Sequence, residues 1–169
     1  LTTPADFGEV QISPDSKHAV LSRGGDLWLA EFPSGVLSRL TSDPGIENEA
    51  VWSPDSRRIA FVKAGEKTGV FQMRIGSGQD SLVYASGPTG IESWTRDGLV
   101  LRRVGTVSLL TMPGEDTVSP STDKPRTLVD LKAAVDQMRV SPDGKWVLYN
   151  LRDEIWLATF PGFNDRRKL

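Results

Sequence analysis

Apolar residues fall along this chain in short runs broken by clusters of Ser, Pro, Asp and Gly. That pattern predicts strands and turns rather than helices. The recurring unit starts with a brief apolar stretch (Val10-Gln11-Ile12, Ala50-Val51-Trp52, Glu92-Ser93-Trp94, Met138-Arg139-Val140) that runs into a turn. A second run rich in β-branched and aromatic residues follows: Ala19-Val20-Leu21, Ile59 to Val62, Leu99-Val100-Leu101 and Trp146 to Tyr149. A third strand is predicted at Leu27 to Ala30, Val70 to Met73, Ser108 to Thr111 and Ile155 to Ala158. The fourth, a polar outer edge, falls at Leu37 to Leu40, Ser81 to Tyr84, Arg126 to Val129 and Arg166 to Leu169. Sustained helical periodicity is missing; Leu131 to Met138 has room for one helical turn.

The turns define an internal repeat. Ser13-Pro14-Asp15-Ser16 recurs as Ser53-Pro54-Asp55-Ser56, degenerates to Thr95-Arg96-Asp97-Gly98 and returns as Ser141-Pro142-Asp143-Gly144, at spacings of 40, 42 and 46 residues. Proline presets the second position of a type I turn, while serine and aspartate suit the first and third. Residues 10–33 share nine identities in 24 positions with residues 138–161 without a gap. A period of about 40–45 residues with four strands per unit is that of a propeller blade. Near-continuous apolar inner strands require sheets covered on both faces, which radial stacking provides. The expected fold is therefore all-β: a β-propeller of four four-stranded antiparallel blades, an open arc or part of a larger ring. It forms a single domain over 1–169, with blades at approximately 1–40, 41–84, 85–129 and 130–169.

At Asn48-Glu49-Ala50-Val51-Trp52-Ser53-Pro54-Asp55-Ser56-Arg57-Arg58-Ile59-Ala60-Phe61-Val62, with Asp26-Leu27-Trp28-Leu29-Ala30 and Arg39-Leu40-Thr41, the sequence resembles the TolB-like (WD-repeat-like) β-propeller family. The resemblance spans all four repeats. The third departs most: Arg96 replaces the turn proline, and a polar stretch from Pro113 to Pro125, with a decoy Ser119-Pro120, separates its last two strands. Rings of this resemblance usually have six or more blades. Leu1-Thr2-Thr3 looks like the tail of a preceding blade, and Arg167-Lys168-Leu169 stops at the same phase of the repeat. The expectation is an arc with apolar faces at both ends that self-associates through them, two arcs making an eight-bladed ring.

Lys+Arg 20 against Asp+Glu 22 gives a net charge of −2, without the positive excess that a phosphate backbone demands. No nucleic-acid partner is expected. No apolar run approaches the ~18–20 residues of a membrane span, so direct membrane insertion is not expected either. With no cysteine, thiolate metal sites and cysteine nucleophiles are excluded.

Candidate chemistry is sparse. The one histidine, His18, stands where Arg58 and Trp146 stand in other repeats, a variable position that reads as surface rather than as a general base. There is no Gly-x-Ser-x-Gly elbow and no phosphate-cradling glycine pattern. Asp15, Asp55, Asp97 and Asp143 are accounted for as turn residues. Trp28, Trp52, Trp94, Trp146 and Trp156 read as packing between blades rather than stacking platforms. No catalytic residue, cofactor or metal is expected in this chain. The best surface is formed by the loops leading into strand one, which converge on one mouth of the central channel: Gly8-Glu9, Asn48-Glu49, Gly90-Ile91 and Asp136-Gln137. Glu9, Asp43, Glu47, Asn48, Glu49, Asp136 and Gln137 are the candidate ligand-binding residues, an acidic rim suited to a protein, peptide or small cationic partner.

As the resemblance implies, the chain is expected to be a non-catalytic recognition module from a larger bacterial protein, either a scaffold or the C-terminal sensor region of a kinase or transcriptional regulator. The periplasm is favoured over the cytoplasm. The alternative is the gating propeller of a prolyl-oligopeptidase-like serine peptidase, whose hydrolase elbow would lie in another part of the protein.

Overall fold

A computed structural model describes residues 7–85, 90–112 and 124–169. Their sixteen strands form four sheets. The first contains β1 (Phe7–Ile12), β2 (His18–Arg23), β3 (Asp26–Glu31) and β4 (Leu37–Arg39); the second β5 (Ile46–Trp52), β6 (Arg58–Ala64), β7 (Gly69–Arg74) and β8 (Asp80–Tyr84). The third contains β9 (Gly90–Thr95), β10 (Gly98–Arg103), β11 (Thr106–Leu110) and β12 (Arg126–Asp130); the fourth β13 (Val135–Val140), β14 (Trp146–Leu151), β15 (Glu154–Thr159) and β16 (Arg167–Lys168). Every sheet is antiparallel with its strands in sequential order. The four make a four-blade propeller arrangement. Leu131 to Met138, which has room for one helical turn, runs through a bend into β13. Leu1 to Thr3 and Ser119-Pro120 lie outside the described residues.

The turn tetrapeptide builds itself from local hydrogen bonds. The Ser13 hydroxyl donates to Asp15 Oδ1 at 2.7 Å, and the same carboxylate accepts the Lys17 N–H at 3.0 Å. Ser53 with Asp55, and Ser141 with Asp143, repeat that pattern at 2.6 Å. The fourth residue is left-handed each time, with φ of 59° at Ser16, 62° at Ser56 and 69° at Gly144, so it closes the turn onto strand two. The third blade uses a tighter hairpin whose Gly98 (φ 141°) lies against β11; a Cβ there would meet the Leu110 carbonyl oxygen at 2.2 Å. Only glycine fits that approach.

The core lies between the sheets. Val20, Leu27 and Leu29 of the first blade pack on Trp52, Ile59, Phe61, Phe71 and Met73 of the second. Val51, Ala60 and Val70 of the second pack on Ile91, Leu99, Leu101 and Leu110 of the third. Val100, Val107 and Leu109 of the third pack on Met138, Val147 and Tyr149 of the fourth. At about 1.5–3 kcal/mol per buried large aliphatic or aromatic side chain, these three seams hold the arc together. Innermost strands lie side by side, β1 with β5, β5 with β9 and β9 with β13. Among the described residues β13 makes no comparable contact with β1. Of the five tryptophans only Trp52 is fully buried, its indole donating to the Gln11 carbonyl of the neighbouring blade at 2.9 Å. Trp28 and Trp146 lie on the outer faces of the first and fourth blades, where among the described residues no other blade packs.

Candidate binding surface in the channel

Each inner strand is interrupted near its start. Pairing with the second strand shifts between Phe7 and Val10, between Asn48 and Val51, and between Val135 and Met138. In the third blade the shift leaves Glu92 as the extra residue between Ile91 and Ser93. Such bulges bend a strand and re-aim a side chain out of the alternating pattern. They fall at Gly8-Glu9, Glu49-Ala50, Glu92 and Asp136-Gln137, so each of the first three blades presents a glutamate from its bulge. Glu49 sits there with a left-handed φ of 52°.

These carboxylates meet arginines from other blades. Glu9 Oε1 accepts from Gln11 Nε2 at 3.1 Å and from Arg139 Nη2 at 3.2 Å, joining the first blade to the fourth. Arg139 Nη1 lies 3.6 Å from Glu92 Oε2, and the other Glu92 oxygen accepts from Arg102 Nε. Glu49 Oε2 accepts the Ile91 N–H at 3.1 Å, tying the second blade to the third. Burial pushes the Glu49 carboxyl above its ordinary range; the Ile91 hydrogen bond and Arg102 oppose that, while Glu92 and Glu9 add to it. Toward the turn end the channel widens into a cavity of about 790 Å³, with Trp52, Trp94, Val140 and Arg139 among its walls. Three glutamates against two arginines leave the cluster with an excess of negative charge.

The seven residues expected at the rim separate into two groups. Glu9, Asn48 and Gln137 are exposed on the inner strands, and Glu49 is half-buried beside them. Asp136 belongs to the same bulge as Gln137; its side chain is outside the described residues. Asp43 and Glu47 stand elsewhere, around Lys63. Asp43 is exposed and accepts from Lys63 Nζ at 2.6 Å, as Asp80 does at 2.6 Å. Glu47 is fully buried, 3.8 Å from the same ammonium, and accepts from the Thr41 hydroxyl at 3.1 Å. Its backbone N–H donates to the Gly25 carbonyl of the first blade at 2.8 Å. Burial raises the Glu47 carboxyl against the Thr41 hydrogen bond and Lys63. Burial lowers Lys63, but Asp43 and Asp80 outweigh it and leave the ammonium raised.

Glu92, Arg102 and Arg139 were missing from the expected rim. Gly90-Ile91 marked the right loop, but the bulged residue is one position further on. Arg139 carries a positive charge where the first repeat has Gln11, a signal visible once the repeats are superimposed. His18 stacks on Trp52 with ring centroids 6.1 Å apart. Among the described residues no group of three or more His, Asp or Glu is arranged to hold a metal ion.

Blades joined by apolar seams around a charged channel define a β-propeller. No family model matches the sequence, and no curated protein matches it. Solved structures do. A TolB-type protein of Agrobacterium tumefaciens superposes with a TM-score of 0.78 at 18% identity, over 99% of this chain and 63% of that one. TolB of Acinetobacter baumannii superposes with a TM-score of 0.71 at 14% identity, over 100% of this chain and 44% of that one. The fold is that of TolB propellers, and the chain spans less than two thirds of either structure.

Proposed function

We propose that this chain is a recognition module that binds a peptide or small cationic ligand at the strand-start mouth of its channel, as the propeller part of a larger bacterial protein, scaffold or sensor. The observation that carries this reading is the convergence of bulged Glu9, Glu49 and Glu92 from three blades, with Asn48, Asp136 and Gln137 in the same strand segments. A bulge spends a ladder pairing to aim a side chain, a feature common beside functional sites. Asp43 and Glu47, gathered around Lys63 away from the bulges, are left out of the proposed contact surface. The fold shared with TolB structures is consistent with such a module; function itself rests on the site.

A lysine-rich hexapeptide titrated by calorimetry tests the reading. Charge-assisted hydrogen bonds are worth about 1.5–3 kcal/mol, so combined Glu9→Gln and Glu49→Gln should weaken binding roughly ten-fold or more. Affinity unchanged by the pair, or equally lowered by Glu66→Gln outside the channel, would remove the site.

A further inference from the structure

Two neighbouring seams, both internal to the arc, share one device and finish it differently. Five residues after the first turn serine, His18 stacks on Trp52 of the next blade with ring centroids 6.1 Å apart. Arg58 holds the same position in the second blade, and its guanidinium lies 4.9 Å from the ring centroid of Trp94, the third blade's counterpart of Trp52. The first seam is closed at its turn end, where the Asp15 N–H donates to Ser56 Oγ at 3.0 Å. The second seam lacks that closure. Its Thr95–Gly98 hairpin is two residues shorter than the Ser53–Arg58 turn, and glycine stands where Ser16 and Ser56 end the tetrapeptide. The result is a pocket of about 430 Å³ that reaches Arg58 and Trp94 and is walled by Pro54, Asp55, Arg96, Asp97 and Met112. Small-molecule sites fall at roughly 300–1,000 Å³.

Arg58 is positioned but not paired. The buried Gln72 side chain accepts from Arg58 Nη1 at 3.3 Å and, with Trp94, fixes the guanidinium plane. Nε is buried without a partner, and among the described residues no carboxylate forms an ion pair with Arg58. Asp55, three residues away, has Oδ1 engaged by the Ser53 hydroxyl at 2.6 Å and the Arg57 N–H at 3.1 Å. Withdrawing a charge from water without a counter-charge is unfavourable, and the planar guanidinium fork matches a carboxylate. We infer that the pocket between the second and third blades binds a monocarboxylate, its carboxylate on Arg58 and its apolar body against Trp94, Met112 and Pro54. Arg58 and Arg96 against Asp55 and Asp97 leave the walls without net charge, which favours one negative charge over a phosphate dianion. This ligand is opposite in charge to the one proposed for the channel, and the site stands independently of that reading.

Calorimetric titration with N-acetylphenylalanine and with its amide, alike but for the charge, tests the site. The acid should bind about ten-fold or more tightly than the amide. Arg58→Gln should remove that difference, and Arg58→Lys, which keeps the charge but not the fork, should lose most of it; circular dichroism reports whether each variant is folded. If losing the stack unfolds them, Arg96→Glu, at an exposed position, gives the walls an excess of negative charge and should weaken the acid several-fold without changing the amide. Arg57→Gln, an exposed charge on the same turn, should alter neither. Phenylpropionate separates two sources of the carboxylate: affinity equal to that of N-acetylphenylalanine supports a small free acid, and weaker affinity supports a peptide C-terminus. Acid and amide binding equally, or neither binding, overturns the inference. So does acid binding that a folded Arg58→Gln retains, or that Arg57→Gln lowers as much as Arg58→Gln.

Discussion

Two clusters of charge start from equivalent strand segments and do opposite things. In the second blade, Glu47 is paired across the sheet with Lys63, and Asp43 and Asp80 complete a cage around a single buried ammonium. In the channel, Glu9, Glu49 and Glu92 are carried out of the ladder by bulges and meet Arg102 and Arg139, which reach them from neighbouring strands and blades. Glu47 and Glu49 are two residues apart in one strand. Regular pairing keeps the first inside the scaffold, and the bulge hands the second to the channel. Local register decides whether a carboxylate stays inside the sheet or turns into the channel.

Breaking the cage should give the largest effect. Lys63→Met leaves Glu47 buried without its cation, and losing one partner of a buried pair costs about 3–5 kcal/mol. Urea unfolding measures it, and a loss below about 1 kcal/mol would mean that the cage is solvated like the channel cluster and that the contrast fails. Pairing Lys63→Met with Glu47→Leu should recover much of the loss, because apolar replacements of a whole buried pair are often neutral. A double-mutant cycle in which the two losses simply add would show that they are uncoupled.

The seams supply an effect of intermediate size. Leu99, fully buried between the second and third blades, should cost about 2–5 kcal/mol on truncation to alanine. Leu148, 43% exposed on the fourth blade, should cost under about 0.5 kcal/mol. Equal losses would mean that Leu148 is covered in solution.

Much of this arrangement was legible in the chain. The Ser-Pro-Asp turn is a local object whose hydrogen bonds join residues two to five apart, so three copies of it and one degenerate copy announced four sheets. Bulges are not local: each is defined by pairing with the second strand, and in the third blade the shorter Thr95–Gly98 hairpin moved the extra residue to Glu92. Glu47 and Glu49 looked alike in sequence because only the register separates them. The Glu9–Arg139 pair joins residues 130 positions apart, beyond any spacing argument. Tryptophans expected between blades were covered only where a neighbouring blade exists.

Acidity sharpens the contrast at smaller amplitude. The Glu49 carboxyl is raised in the folded chain by burial, so its ionisation opposes folding. That opposition is absent below the unfolded-chain value near 4.5 and grows as pH rises through the folded value. Glu49→Gln keeps an acceptor for the Ile91 N–H and removes the charge. It should therefore be more stable than the parent at neutral pH, with the gain fading on acidification. Thermal melts at several pH values measure this, and a gain that grows toward acid would reverse the assigned direction.

The smallest effect on stability should come from an exposed pair at the proposed binding surface. Glu9 and Arg139 are both well exposed, and exposed pairs contribute about 0–1 kcal/mol. Arg139→Ala should therefore barely move the unfolding midpoint. It also removes the cation nearest Glu9 and one of the two beside Glu92, freeing carboxylate oxygens that the channel otherwise uses internally. If those carboxylates receive the ligand, a lysine-rich peptide should bind Arg139→Ala more tightly than the parent, with a steeper dependence on salt. Weaker binding would instead make Arg139 part of the contact surface and turn the preferred ligand toward one with its own carboxylate. Either sign separates the channel from the cage, because the same peptide should respond to Asp80→Asn only through any loss of fold.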